Sequence, residues 1–249
     1  MGVSLEEAGQ YGDSVFREMM LVKVLAVQWV VSLGYHVLFQ DIDIVWYEDP
    51  VPYFRTHHHA KFDVVLQDDG ARSVRFAPYS GNSGVYYVKN LPKTRYLMNR
   101  MVLAADFVLS TSSHQQTLIG MLNHFASLHG LRVKTLSMDP RLPGGFEFHR
   151  NRTYMHDVLA GRIQPLLFHM AWTFNKANKI LFFQQLGLWH VDDSCRSNSN
   201  HSSTKVKTNR LQQCCVAKPI VQCHYRDKPS PIPCNDSPNI DPRGKPFWD

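Results

Sequence analysis

Apolar positions along the chain fall into blocks whose spacing changes from one segment to the next. From residue 13 to 33 they recur at helical intervals (Val15, Phe16, Met19, Met20, Val22, Leu25, Ala26, Trp29, Val30), which predicts a helix. Asp13 or Ser14 can cap its start, and Gly34 stands where a left-handed C-terminal residue belongs. The apolar residues cover most of the circumference, so the helix is expected to be deeply packed. A short apolar strand over 36–39 follows and runs directly into Gln40-Asp41-Ile42-Asp43-Ile44-Val45-Trp46. Further strands are expected at 62–67, around 84–88, at 132–136 and at 166–170, with helices at 94–109, 114–129 and 175–186. Alternating strands and helices predict an α/β sandwich with a mainly parallel sheet. From Ser194 to Thr208 the composition turns to Ser, Asn and Lys, which marks a linker between a domain at 10–193 and an irregular tail at 209–249.

A length of 249 residues, 44% hydrophobic and 19% charged, excludes a disordered, collagenous or coiled-coil chain. No apolar run approaches the roughly 18 residues of a membrane span. The net charge of +6 sits almost wholly in the tail, where nine Lys/Arg stand against four Asp/Glu from Ser194 onward. The body is therefore near neutral and carries no basic stripe, which argues against a nucleic-acid partner. Cys195, Cys214, Cys215, Cys223 and Cys234 all lie in the last quarter. They fit a disulfide-stapled tail, two bridges with one thiol left over, better than a zinc site that includes His224, because no C-x2-C pair exists. The sequons at Asn151, Asn200 and Asn235 are compatible with a lumenal protein.

Asp41-Ile42-Asp43 is the most informative chemistry in the body. On a strand, residues i and i+2 share a face, so both carboxylates can meet one cation. The run before them is apolar, which puts the pair at the carboxyl end of a buried strand, where open α/β sheets bind ligands. Two carboxylates with open positions suit Mg²⁺ or Mn²⁺ bridging a diphosphate. The triplet by itself reads more simply as a solvated loop, and its context is what raises the metal reading. His57-His58-His59 follows Pro52-Tyr53-Phe54 and is expected in an exposed loop rather than a metal cluster.

The segment Leu33-Gly34-Tyr35-His36-Val37-Leu38-Phe39-Gln40-Asp41-Ile42-Asp43-Ile44-Val45-Trp46-Tyr47-Glu48-Asp49-Pro50 resembles the corresponding pattern of nucleotide-diphospho-sugar glycosyltransferases, specifically glycosyltransferase family 77. Gly81-Asn82-Ser83-Gly84-Val85-Tyr86-Tyr87-Val88 is similar to the family's Asn-Ser-Gly block. Phe168-His169-Met170-Ala171-Trp172 and Leu186-Gly187-Leu188-Trp189, with Lys176 or Lys179 between them, resemble its closing block. The resemblance covers about residues 10 to 190 and implies a GT-A fold, a UDP-sugar donor, Mn²⁺ (or Mg²⁺) and transfer of a hexose or pentose with retention. It further implies a glycan or glycoprotein acceptor and a place in the Golgi lumen. Asp41 and Asp43 match the metal- and diphosphate-binding pair. His169 matches a third metal ligand, although the strand alone would make it a core histidine. Asn82, Ser83 and Gly84 match positions lining the donor sugar, although Ser80 to Gly84 is also strong turn chemistry. Lys176 matches a donor-binding residue.

Two departures stand out. Related retaining enzymes have Asp-Gln before the helix facing the sugar, whereas this chain has His114-Gln115-Gln116-Thr117. Gln116 can fill the Gln position, and a carboxylate must come from elsewhere, Asp68 or Asp69, or be dispensable in front-face substitution. The chain also enters at the helix before the acidic strand, where the family places a uridine-cradling strand and helix, so an N-terminally incomplete member is expected. The alternatives are a catalytically inactive or truncated binding module of the same fold, and a zinc-stabilised interaction protein acting through its tail.

Overall fold

Asp13 starts the first helix, α1 (Ser14–Ser32): its carboxylate accepts the Phe16 amide at 2.7 Å. Leu33 caps the far end, and Gly34 follows at φ +100°, a conformation costly for any residue with a side chain. The computed structural model describes residues 8–70, 72–111, 113–136, 139, 141–143, 152–159, 162–171, 179–180, 183–184, 188–192 and 214–217. The chain divides into two units, Met1–Trp172 and Thr173–Asp249.

In the first unit, α1 is followed by β1 (Val37–Gln40), β2 (Ile44–Trp46), α2 (Pro50–Arg55), α3 (His57–Ala60), β3 (Val64–Asp68) and β4 (Gly81–Val88). After these come α4 (Pro92–Leu103), α5 (Ala105–Ser110), α6 (His114–His129), β5 (Val133–Leu136), α7 (Arg152–Leu159) and β6 (Leu167–His169). The main sheet has the order β1-β4-β3-β5, and β2 pairs with β6 in a separate two-stranded ribbon. In the main sheet β1, β3 and β5 run in one direction, and β4 runs against them between β1 and β3. The sheet is therefore mixed: most strands are co-directional, but β3–β5 is its one parallel ladder among the described residues. Every residue of β3 and β4 is buried, so the centre of the sheet is covered on both faces. One face carries the main core, where Val24, Val27 and Val31 of α1 meet Leu97, Met98 and Met101 of α4 and Leu118, Leu122 and Phe125 of α6. On the other, Phe54 of α2 stacks on Tyr87.

Several expectations are corrected. Helix α1 buries only the stripe Met20, Val24, Val27 and Val31, and leaves Met19, Val22, Trp29 and Val30 exposed. One side of it packs on α4, α5 and α6; the apolar circumference overstated the packing. The helix expected over 94–109 is two helices, broken at Ala104. Gly81, Asn82 and Ser83 lie inside β4 rather than in a turn. His59 is not in an exposed loop: it belongs to α3, is buried, and lies against Tyr53. The expected helix over 175–186 falls largely outside the described residues.

In the second unit, Val191 and Cys215 form an antiparallel bridge. Cys214 is disulfide-bonded and Cys215 is a free, exposed thiol. Cys195, Cys223 and Cys234 lie outside the described residues. No helix among the described residues is long and apolar enough to cross a membrane.

Asp63 ties the sheet to its helices. Its fully buried carboxylate is 2.5 Å from Lys93 Nζ and 3.0 Å from an Arg132 Nη2, and it also accepts the Arg132 amide at 2.7 Å. Burial alone would raise its pKa, but the bonds from Arg132 and Lys93 outweigh it and hold the carboxyl below its ordinary value. Stability from this lowered pKa is fully present above the unfolded value of about 3.9 and is lost as pH falls through the folded value. Asp63→Asn is expected to cost about 3 kcal/mol at pH 7, since two cations lose their counter-charge. It should also flatten the fall of melting temperature below about pH 4. An acid limb identical to that of the wild type in thermal melts would contradict this role.

Candidate metal centre

The acidic pair sits at a junction of strands rather than within one. Asp41 directly follows β1 and Asp43 directly precedes β2, with the fully exposed Ile42 turned outward between them. Backbone bonds pin both ends: the Asp41 amide donates to Gly84 O at 2.8 Å, and the Met170 amide to Asp43 O at 3.0 Å. Pairing of β2 with β6 sets Ile44 opposite His169. The imidazole Nε2 thereby comes within 3.6 Å of Asp43 Oδ1, with the histidine itself almost completely buried. One ligand atom from each of Asp41, Asp43 and His169 lies within 4.8 Å of the others. The sequence placed these residues together, and the structure does so through two different sheets.

Gln67 decides which imidazole nitrogen faces the carboxylates. Its side-chain amide nitrogen donates to the Pro143 carbonyl, which leaves Oε1 to accept from His169 Nδ1 at 2.6 Å. Nδ1 therefore carries a proton, and Nε2 is the ring nitrogen turned toward Asp43. That is the orientation a histidine needs to ligate a metal through Nε2 while its other nitrogen is held by a buried acceptor. Two carboxylates and an imidazole oriented by a buried amide are a fitting donor set for a divalent ion.

Gly84 makes room for the cluster. A Cβ built there would be 2.8 Å from His169 Cε1, 2.9 Å from Asn82 Oδ1 and 3.0 Å from Asp41 Oδ2. Asn82 is buried beside it, donating to Asp69 Oδ1 at 2.8 Å and accepting the Gly84 amide at 2.6 Å. The backbone amide and hydroxyl of Ser83 both donate to Gln115 Oε1, at 3.0 and 3.2 Å. Asp68 instead forms a two-pronged pair with Arg72, at 2.8 and 2.6 Å. Lys23 of α1 reaches the cluster from the helical layer, its Nζ 2.6 Å from Asp41 Oδ1.

The family model for nucleotide-diphospho-sugar transferases matches residues 3–183, which include every element just described. The chain belongs to the nucleotide-diphospho-sugar transferase family. Two relatives agree. It is 24% identical over 212 residues to the UDP-galactose:fucoside alpha-3-galactosyltransferase of Dictyostelium discoideum, covering 80% of this chain and 32% of the relative. It is 25% identical over 202 residues to the UDP-D-xylose:L-fucose alpha-1,3-D-xylosyltransferase 3 of Arabidopsis thaliana, covering 76% of this chain and 51% of the relative. The chain thus spans a third to a half of the length of these two relatives. No solved structure matches it.

Gln115 is the glutamine that meets Ser83, and Gln116, expected from the sequence to fill the family's Gln position, lies half-buried on the same helix. Lys176 lies outside the described residues. Sequence reasoning missed Gln67, Gln115 and Lys23. The available signals were a polar residue ending the apolar run Val64-Val65-Leu66 and a lone lysine in an apolar helix. If the cluster holds a divalent ion, Gln67→Leu is expected to free the imidazole and lower Mn²⁺ affinity there by about 10- to 100-fold. Mn²⁺ titration followed by electron paramagnetic resonance checks it, and an unchanged dissociation constant would show that Gln67 does not orient His169.

Proposed function

We propose that the chain carries the metal and donor site of a divalent-cation-dependent glycosyltransferase. It would move a hexose or pentose from a UDP-sugar to a glycan or glycoprotein hydroxyl, with retention, in the Golgi lumen. The observation that carries this proposal is the convergence of Asp41, Asp43 and a tautomer-fixed His169 at the carboxyl end of β1. Asp41, Asp43 and His169 would hold a Mn²⁺ or Mg²⁺ ion, which would supply electrostatic stabilisation of a leaving diphosphate. The remaining contributions belong to side chains. Asn82, fixed between Asp69 and the Gly84 amide, and Ser83, fixed by Gln115, present a rigid polar wall beside the cluster. A rigid wall orients a sugar without further ordering cost. Asp68, already paired with Arg72, is a weak nucleophile, which favours front-face substitution, in which a phosphate oxygen takes the acceptor's proton. Galactose and xylose are the donors to try first, with a fucoside acceptor, because the two relatives carry those substrates in their names. The test is transfer from UDP-galactose or UDP-xylose to a fucoside with Mn²⁺, reading the product's anomeric configuration by NMR. An α-linked product supports the proposal, and a β-linked product would overturn retention.

A further inference from the structure

Lys23 is the only Lys, Arg, Asp or Glu between Glu18 and Asp41, a stretch otherwise dominated by apolar side chains. An isolated ammonium on a packed helix needs a reason, because its stem could be replaced by any apolar side chain without loss of packing. Its head meets Asp41 Oδ1 at 2.6 Å and lies 6.0 Å from the centre of the Phe39 ring. Both charged side chains keep about a fifth of their surface open, at 22% and 23%, so the pair faces an accessible space rather than the core. His114, a further basic side chain near this point besides His169, is fully buried, and burial, with the Lys23 charge nearby, holds its pKa down to about 3. It is neutral, and Lys23 supplies the fixed positive charge.

The charge balance makes the ammonium consequential. A divalent cation between Asp41 and Asp43 is balanced by those two carboxylates, so the loaded site would offer a diphosphate open coordination positions but no net positive charge. Lys23 leaves the loaded site one charge positive. An ammonium beside a newly arrived cation is repelled by it and drawn to the nearest anion. We propose that Lys23 is the second cation of the donor site: it holds Asp41 before the metal binds and contacts the nucleotide diphosphate once the metal is in place. This inference rests on the donor site proposed above.

Lys23→Met keeps the stem and removes the charge, and Lys23→Arg keeps the charge. Two binding constants separate the roles: Mn²⁺ alone by electron paramagnetic resonance, and UDP at saturating Mn²⁺ by calorimetry. In Lys23→Met, Mn²⁺ alone should bind about three- to tenfold more tightly, because a neighbouring positive charge is gone. UDP should bind about 10- to 100-fold more weakly, as for a lost charge-assisted bond. Lys23→Arg should keep UDP affinity within about threefold of the wild type, since the guanidinium also binds phosphate. Opposite shifts in the two constants cannot come from a general loosening of the fold. Lys23→Gln serves the same purpose if the methionine variant does not fold. Unchanged UDP affinity in the neutral variants, or equal losses in the neutral and arginine variants, would overturn the inference while leaving the donor site standing. A wild type that binds neither Mn²⁺ nor UDP would overturn the donor site and this inference with it.

Discussion

Asp41→Asn and Asp43→Asn are each expected to lose at least about 100-fold in Mn²⁺ affinity, and with it metal-dependent UDP binding, while the protein stays folded. The size follows from the donor set. Among the described residues three ligand side chains converge, and an amide oxygen carries no net charge to offset a divalent ion. Replacing one carboxylate therefore removes more than the 10- to 100-fold typical of an outer contact. Folding should survive because these side chains are not what holds the junction. The Asp41 amide and the Asp43 carbonyl are tied by backbone bonds to Gly84 and Met170, which neither substitution touches. The Lys23–Asp41 pair is partly open to solvent and contributes no more than about 1 kcal/mol. Without metal, the melting temperature should be unchanged or slightly higher, since two clustered carboxylates repel. Added Mn²⁺ should raise it in the wild type alone. Calorimetry and thermal melts in Mn²⁺ or a chelator check both halves. Wild-type affinity in either variant would show that the acidic pair is not the metal site.

Gly84→Ala is expected to do comparable damage without removing any ligand. The added methyl would stand 2.8 Å from His169 Cε1 and 3.0 Å from Asp41 Oδ2, closer than ordinary van der Waals contact. Its third neighbour, Asn82 Oδ1, is anchored by the Gly84 amide and cannot retreat freely. The imidazole is held from behind by Gln67, so the least costly response is to push Asp41 away. Overpacking of this kind costs about 1–3 kcal/mol. Metal affinity should fall about tenfold or more, because Asp41 is displaced from the set and His169 is crowded. Gly81→Ala is the informative comparison. The three atoms nearest its methyl would all belong to Leu66, the first at 2.9 Å, so it should destabilise the strand but leave metal affinity near the wild-type value. Equal loss of metal binding in both variants would mean that the effect is general strain in β4.

Much of this was legible in the sequence because it depends on local pattern. The caps of α1, the span of α6 and the buried strands β3 and β4 follow from periodicity and from Asp13 and Gly34. The Asp41, Asp43 and His169 set came from the resemblance of three blocks. What stayed hidden depends on contacts distant in sequence. Nothing local to Gln67 shows that it meets His169, 102 positions away, or that Pro143 fixes its orientation. The choice between Gln115 and Gln116 turns on helix phase against Ser83, which a one-residue shift reverses. The exposed face of α1 was misjudged because an apolar circumference reports what a helix could bury, not what packs on it.

The most direct measurement is a crystal grown with MnCl₂ and UDP, with diffraction recorded at the manganese edge. The anomalous map is expected to show one strong peak bonded to carboxylate oxygens of Asp41 and Asp43 and to His169 Nε2, with the diphosphate completing its coordination. Bound UDP with no peak at these residues, or with the peak elsewhere, would contradict the assignment of this cluster as the metal centre.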